Sequence, residues 1–375
     1  MRILLLTDWY EPGYRAGGPI RSCVHLAQLL SQEHECLVLT TNRDLGAPMP
    51  YPDIEPDTWI ELRPGLRVYY ASPERLSLHK LRKLILEARP DCLYLNSMYS
   101  RMFTLGPLAW HRVGLLPVPV VLAPRGMLRA GALQFKATKK IGFLRLAGAL
   151  GLYRDVHFHA TDEQERRDVQ RWFPKNPVQV LPNVPELPAE QATPVQKQRG
   201  TLRLVFVGRI SPVKNLDFLI DQLPGLQGNI HLDIIGPLED EAYWNICLQK
   251  LQGFSWQYLG EQPHVQIRYV LQSSHVFALP TLGENFGHAI WEALAMGRPV
   301  LISDQTPWQN LEAVKAGWVC SLQKPETFRQ ALRQAIELDQ SEFDSWSQST
   351  LQYAQTYFQQ QDLAAEYSQL FRGVV

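Results

Sequence analysis

What the chain lacks narrows its function first. Lys and Arg total 37, Asp and Glu also total 37, so neither sign of charge is in excess. Without a basic field there is no counterion-release contribution with which to hold nucleic acid, and nucleic acid is excluded as an expected partner. No CxxC spacing occurs: Cys23, Cys36, Cys92, Cys247 and Cys320 are odd in number and widely separated, which argues against a disulfide framework and fits a reducing cytoplasm. No window approaches the roughly 20 apolar residues of a bilayer span, so membrane contact is expected to be peripheral. The opening MRILLLTDWYEPG has no small-residue cleavage site and reads as a first strand rather than a secretory leader. GxGxxG, the dinucleotide fingerprint, is absent, as is any Asp-x-Asp triplet. No repeat of solenoid period is visible.

What is present describes an ordinary globular protein of two parts. The chain has 375 residues, 45% apolar and 20% charged, more than one core usually organises. Its first half alternates apolar runs (RILLLT, CLVLTT, DCLYLN, PVVLAP, VHFHAT) with amphipathic stretches at Pro19–Gln32, Leu76–Ala88 and Asp162–Trp172. That rhythm predicts βαβ units and a parallel sheet. VLPNVPELPAEQATPVQKQRG has no apolar period and reads as a linker. A second alternation follows: Thr201–Val207, HLDIIG, WQYLG, VFALP and PVLIS; beyond Pro325 the spacing is helical only. The expected division is a first domain over 1–180, a linker over 181–200, a second domain over 201–355 and a terminal helix over 356–375.

Parallel sheets bind ligands at the carboxyl ends of their strands, which directs attention to three loops. DWYEPGYRAGGPIR places Gly17 and Gly18 before a helix with Pro19 in its first turn; its amides either face a phosphate or form a plain turn. VGRISPVKNLD puts Arg209 and Lys214 five residues apart before a helix starting near Asn215. Two cations at a helix N-terminus suit a diphosphate, and solvated loop charges are the alternative. The third loop carries Glu284, Asn285, Phe286 and Gly287 before a helix that holds Glu292, with seven residues between the two glutamates. Carboxylates accept from sugar and ribose hydroxyls. Glu284 could instead compensate the helix N-terminus, whereas Glu292 lies close to the apolar face made by Ala289, Ile290, Ala293, Leu294 and Met296, where a charge needs a purpose. His157 and His159 share one side of HFHA without a carboxylate or cysteine at ligand spacing and read as packing residues; His288 reads as a partly exposed helical residue.

Together these loops resemble the nucleotide-sugar glycosyltransferases of family four (group 1), retaining enzymes of the GT-B fold with two Rossmann-like domains facing across a cleft. The family's Gly-Gly loop, Arg/Lys pair and paired glutamates beside FG match Gly17 and Gly18, Arg209 and Lys214, and Glu284 and Glu292, and the likeness extends through APRGML, HATDEQE and LPN. The resemblance implies that Arg209 and Lys214 stabilise the departing diphosphate, that Glu284 touches donor-sugar hydroxyls, and that Glu292 binds the ribose. It also implies that the helix over 356–375 crosses back to the first domain, a nucleotide diphosphate sugar as co-substrate, no other cofactor, and no metal, since the Asp-x-Asp metal site of single-domain glycosyltransferases is missing. Where many relatives have His in APHG this chain has Arg125, which stays charged and either anchors a phosphate or sugar hydroxyl or makes a structural salt bridge. LPNVPELP lacks the glycine and aspartate common after LPN, so no role passes to Asn183.

AGGPIR with PRGML most resembles the polysaccharide-building branch, with a saccharide or lipid-linked saccharide as acceptor. From Arg129 to Leu150 there is no Asp or Glu, while Arg129, Lys136, Lys139, Lys140 and Arg145 alternate with Phe135, Ile141, Phe143, Leu144 and Leu146. This stretch is either an amphipathic helix packed on the first sheet or a surface that meets anionic headgroups at the inner face of the plasma membrane. The competing functions are a nucleotide-sugar epimerase of the same fold, or a non-catalytic sugar-nucleotide-binding subunit.

Overall fold

The structure, a computed structural model, describes residues 1–129, 133 and 137–374. It divides into two compact units, one made of Met1–Val184 with Asp362–Val375 and the other of Pro185–Gln361.

The first unit is built on β1 (Arg2–Leu6), α1 (Gly18–Leu30), β2 (Glu35–Thr41), β3 (Trp59–Arg63), β4 (Leu66–Ala71), α2 (Leu78–Ala88), β5 (Cys92–Asn96), α3 (Gly106–Arg112), β6 (Val120–Ala123), α4 (Ala137–Ala149), β7 (His157–Ala160), α5 (Glu163–Trp172) and β8 (Val178–Val180). Its sheet runs β3-β4-β2-β1-β5-β6-β7-β8, parallel except for β3, which pairs antiparallel with β4. Side chains alternate across each strand: Ile3 and Leu5 of β1 join one buried cluster with Cys23, Leu26 and Leu30 of α1, while Leu4 and Leu6 join another with Leu81 and Ile85 of α2. Covering both faces is why these strands read as continuous apolar runs. The β3–β4 pair was not anticipated, because Trp59–Arg63 is an exposed edge strand with mixed polarity.

The second unit contains β9 (Thr201–Val207), α6 (Leu216–Asp221), β10 (Asn229–Ile235), α7 (Glu241–Lys250), β11 (Ser255–Gly260), α8 (His264–Ser273), β12 (Val276–Leu279), α9 (His288–Ala295), β13 (Val300–Ser303), β14 (Gly317–Cys320), α10 (Pro325–Glu337) and α11 (Gln340–Gln359). The order β11-β10-β9-β12-β13-β14, all parallel, is the doubly wound arrangement whose direction of winding reverses between β9 and β12. The last helix, α12 (Leu363–Arg372), packs in the first unit: Tyr367 donates its hydroxyl to Pro182 O at 2.8 Å, and Phe371 is fully buried there.

Much of the stretch read as a linker belongs to the second unit. Ala189 N–H donates to Ala295 O at 2.8 Å. The Lys197 amine, buried with its residue 3% exposed, donates to the carbonyls of Gln198, Ile336 and Leu338 at 3.0, 3.1 and 2.9 Å. Periodicity did not reveal this because backbone carbonyls and a lysine hold the segment, rather than an apolar stripe. Likewise α11 carries the second unit as far as Gln359 before the chain returns to the first at Asp362. Lys136 and Phe135 lie outside the described residues. In α4, Leu144 and Ala147 are buried and Phe143 packs on Tyr99 at 5.8 Å between ring centroids, while Lys139 and Arg145 are exposed and Leu146 is 60% exposed. Among the described residues no helix is long and apolar enough to cross a membrane, and the five cysteines are free and buried.

Candidate active site

In the second unit the two loops singled out from sequence leave β9 and β12, the adjacent strands at which the winding reverses. Gly208 follows β9, and Gly236, the residue after β10, passes close over it: a Cβ on Gly236, at φ +141°, would stand 2.0 Å from Gly208 O. The loop then makes a 3-10 turn at Pro212–Lys214, and Asn215 turns into α6 with a left-handed backbone, φ 60°. Its side-chain amide donates to Pro280 O at 3.0 Å, and Leu282 N–H donates to Val213 O at 2.8 Å. The two loops are thereby stitched together.

That stitching brings Lys214 against Glu284. The Lys214 ammonium donates to the Glu284 carboxylate, with side chains only 16% and 12% exposed. Glu284 therefore does not serve as the cap of α9, whose N-cap is Gly287 at φ 78°; its charge is directed to the cation instead. Arg209 is paired with a different carboxylate. Its Nη1 bonds both oxygens of Glu239 at 2.7 Å, and the two side chains are 54% and 47% exposed.

Phe286 is a packing residue. It is buried against Trp308 and Trp291, at 5.3 and 6.3 Å between ring centroids, and its carbonyl accepts from Trp308 Nε1 at 2.6 Å. Asn285 lies between it and Glu284, and His288 opens α9 with its ring 5.0 Å from Phe286. The aromatic packing and the left-handed Gly287 fix where α9 begins, and thus where Glu292 falls on it.

Glu292 is 5% exposed. Its Oε1 lies 3.6 Å from His264 Nε2, and that nitrogen lies 3.3 Å from Glu186 Oε2. Arg268, one turn beyond His264 on α8, forms an ion pair with the other Glu186 oxygen. The ligating atoms of Glu186, His264 and Glu292 all lie within 4.8 Å of one another, a spacing at which a cation could be held; the Arg268 guanidinium already supplies positive charge to Glu186. Burial and the neighbouring Glu292 would raise the Glu186 carboxyl, but the adjacent His264 and Arg268 outweigh them and leave the group below its ordinary range. Sequence reading passed over Glu186, His264 and Arg268. His264 was within reach, since it follows β11 at the carboxyl edge of the sheet; Glu186 was hidden in the supposed linker.

In the first unit Gly17 is the N-cap of α1 at φ 65°, with no side-chain cap, and Gly18 starts the helix. A Cβ on Gly17 would meet nothing within 4 Å, so backbone conformation rather than crowding favours glycine there. Arg125 follows β6 with φ 55°, and Ser97 follows the neighbouring β5 with φ 114°, backbone strain of the kind that gathers at functional sites. Arg125 donates from Nε to Asn96 Oδ1 at 2.8 Å, from Nη2 to the Tyr94 hydroxyl at 2.9 Å and from Nη1 to Asn183 Oδ1. These acceptors are neutral, so the alternative of a structural salt bridge gives way to a hydrogen-bonded guanidinium. Nearby, Ser100 donates to Asp8 Oδ1 at 2.7 Å, and burial raises the Asp8 carboxyl despite that bond. His159 is fully buried, bonded to the Tyr94 hydroxyl at 2.7 Å and Leu181 O at 2.9 Å, and burial, helped by Arg125, lowers it to about 3. It is a neutral core histidine, as its spacing suggested.

Comparison with known proteins agrees with this architecture. Residues 17–184 match the glycosyl transferase 4-like domain and residues 189–350 match the model of glycosyl transferases group 1. The O-antigen chain mannosyltransferase B of Escherichia coli is 25% identical over 195 residues, which cover 46% of this chain. The aligned stretch spans about half, 51%, of that relative. Among solved structures, sucrose-phosphate synthase from Thermosynechococcus elongatus superposes with a TM-score of 0.68 at 17% identity, covering 99% of this chain and 98% of that one. Anabaena HepE, solved with UDP and glucose, superposes with a TM-score of 0.67 at 16% identity over 100% of both chains. The chain belongs to the group 1 glycosyltransferases and has the GT-B fold of two parallel-sheet α/β units with C-terminal helices.

Proposed function

We propose that this protein moves a sugar from a nucleoside diphosphate sugar to an acceptor hydroxyl with retention, without a metal ion, in the assembly of a surface polysaccharide or glycolipid. The observation that carries the reading is the Lys214–Glu284 pair at the winding reversal of the second unit, with Arg209 on the same loop. A glycosidic bond to a diphosphate breaks with negative charge growing on the leaving group, and fixed cations stabilise that state more than the ground state. In this reading Lys214 and Arg209 supply those cations. Glu284 accepts from donor-sugar hydroxyls, the amides of Asn285 to Gly287 contribute at the start of α9, and Glu292 accepts from the ribose. Gly17 and Gly18 leave the N-terminus of α1 uncapped by any side chain, suited to a phosphate. Arg125 anchors an anionic or hydroxyl group of substrate. Retention follows if the acceptor attacks from the departing side and the donor phosphate removes its proton, which needs no carboxylate nucleophile.

The UDP and glucose held by HepE and the mannosyl transfer in the name of the E. coli relative support a nucleotide-sugar donor and a saccharide acceptor. A lipid-linked acceptor would place the enzyme at the cytoplasmic face of the membrane, where the exposed Lys139 and Arg145 of α4 meet anionic headgroups. The test is a thermal-shift screen with UDP, GDP and ADP, in which ligand at about 100 times its Kd adds about 2.7 kcal/mol. The corresponding sugar donor is then incubated with acceptor and the anomeric configuration of the product read by NMR. Inversion would overturn the retaining reading, a rate abolished by EDTA would overturn metal independence, and sugar interconversion with donor alone would favour an epimerase.

A further inference from the structure

The Glu292 carboxylate is one end of a four-residue array. Arg268 and His264 lie one turn apart on α8 and project from the same side; Arg268 holds one oxygen of Glu186, and His264 Nε2 stands 3.3 Å from the other and 3.6 Å from Glu292. Glu186 is fixed a second time through its backbone, because Trp291 Nε1 donates to Glu186 O at 2.8 Å. Trp291 precedes Glu292 on α9 and is 1% exposed, so adjacent residues of one buried helical turn reach the backbone and, through His264, the side chain of the same glutamate. Basic and acidic side chains alternate along the array. Two carboxylates this close repel, and a buried one without a cation tends to take up a proton; a protonated acid is a poor acceptor for a hydroxyl. The His264 ring stands between them, its Nε2 at 3.3 and 3.6 Å, close enough for a protonated imidazole to attract both carboxylates, and the low-lying Glu186 carboxyl accords with that.

We propose that Glu186 and His264 are positioning residues for Glu292, holding its carboxylate in the orientation that accepts from a ribose, so that they set the preference of the donor site for ribonucleotides over 2′-deoxyribonucleotides. This rests on the assignment of Glu292 to the ribose. Neither residue needs to touch the nucleotide: the protonated His264 ring faces both carboxylates through Nε2 and attracts the near oxygen of Glu292, while Glu186 draws the same nitrogen into place. Because the three meet at one nitrogen, the effects of removing them are coupled rather than additive.

The experiment is calorimetric titration of the full chain with UDP and 2′-deoxy-UDP, and in parallel with GDP and 2′-deoxy-GDP. The proteins are wild type, Glu292→Gln, His264→Gln, Glu186→Gln and the double variant His264→Gln with Glu292→Gln. In the ribonucleotide series each single variant is expected to bind about tenfold more weakly, which is about 1.4 kcal/mol. Affinity for the deoxynucleotide should stay within about twofold, so the ribo-to-deoxy ratio collapses, and the double variant should be no weaker than Glu292→Gln alone. If Glu292→Gln loses the ratio while His264→Gln and Glu186→Gln keep it, whatever their melting temperatures, the array only fastens residues 185–200 to the second unit and the proposal is overturned. If Glu292→Gln keeps the ratio, or no nucleotide binds, the donor-site reading itself fails. Should His264→Gln not fold, Arg268→Gln carries the same test at a side chain 36% exposed, with a smaller loss expected.

Discussion

Arg209→Ala separates catalysis from folding more cleanly than any other change in the site. The Arg209–Glu239 pair is about half exposed on both sides, so its loss costs at most about 1 kcal/mol. For a unit of this size that corresponds to a fall in melting temperature of about 2–4 °C. If the same cation acts on the leaving diphosphate as a preorganised transition-state donor, it is worth about 10²- to 10³-fold in turnover. Lys214→Ala provides the contrast. It leaves the Glu284 carboxylate, 12% exposed, without its cation, which costs about 2–4 kcal/mol and about 5–15 °C, in addition to a comparable loss of turnover. The assay pairs a thermal melt with release of nucleoside diphosphate at saturating donor, using the donor that the nucleotide screen identifies. Turnover of Arg209→Ala within twofold of wild type would refute the leaving-group role. Equal melting shifts for the two variants would refute the ranking by burial.

Three further outcomes follow from the geometry. His275 accepts from Arg203 N–H at Nδ1 (3.0 Å) and bonds Gln196 O through Nε2 (2.9 Å), and burial lowers it from 6.5 to about 4. Since the unfolded imidazole takes up its proton first, stability present above about pH 6.5 is lost as pH falls towards 4, by up to about 1.4 kcal/mol per pH unit; denaturant titrations from pH 4.5 to 7.5 should show that slope lessened in His275→Gln, and an unchanged slope would count against it. Gly236→Ala, whose Cβ would meet Gly208 O at 2.0 Å, should cost at least about 3 kcal/mol by strain at the base of the Arg209 loop, and a variant melting within 2 °C of wild type, about 1 kcal/mol or less, would contradict the close approach. Changing Lys139, Lys140 and Arg145 together to Gln should abolish salt-sensitive sedimentation with anionic vesicles, whereas equal recovery of both proteins in the supernatant would remove the membrane role of α4.

The sequence alone determined the class of fold, the count of two parallel-sheet units and the loops that matter. Strand-length apolar runs record burial on both faces, and glycines and cations after strands record the carboxyl edge; both are local signals. It also carried the resemblance that pointed to the glycosyltransferases. Tertiary structure decided what those residues do to one another. That Glu284 answers to Lys214, 70 residues away, depends on β9 and β12 being neighbours, which no local period encodes. That Arg125 is held by Asn96, Tyr94 and Asn183 depends on β5 and β6 lying side by side. Glu186 had no signal at all: it sits in a proline-rich stretch without apolar rhythm, and only when that stretch packs against α8 and α9 does its carboxylate meet His264 and Arg268. Periodicity registers which side chains leave water, and an array joined by charge and hydrogen bonds across three separated segments becomes visible only when the chain has brought them together.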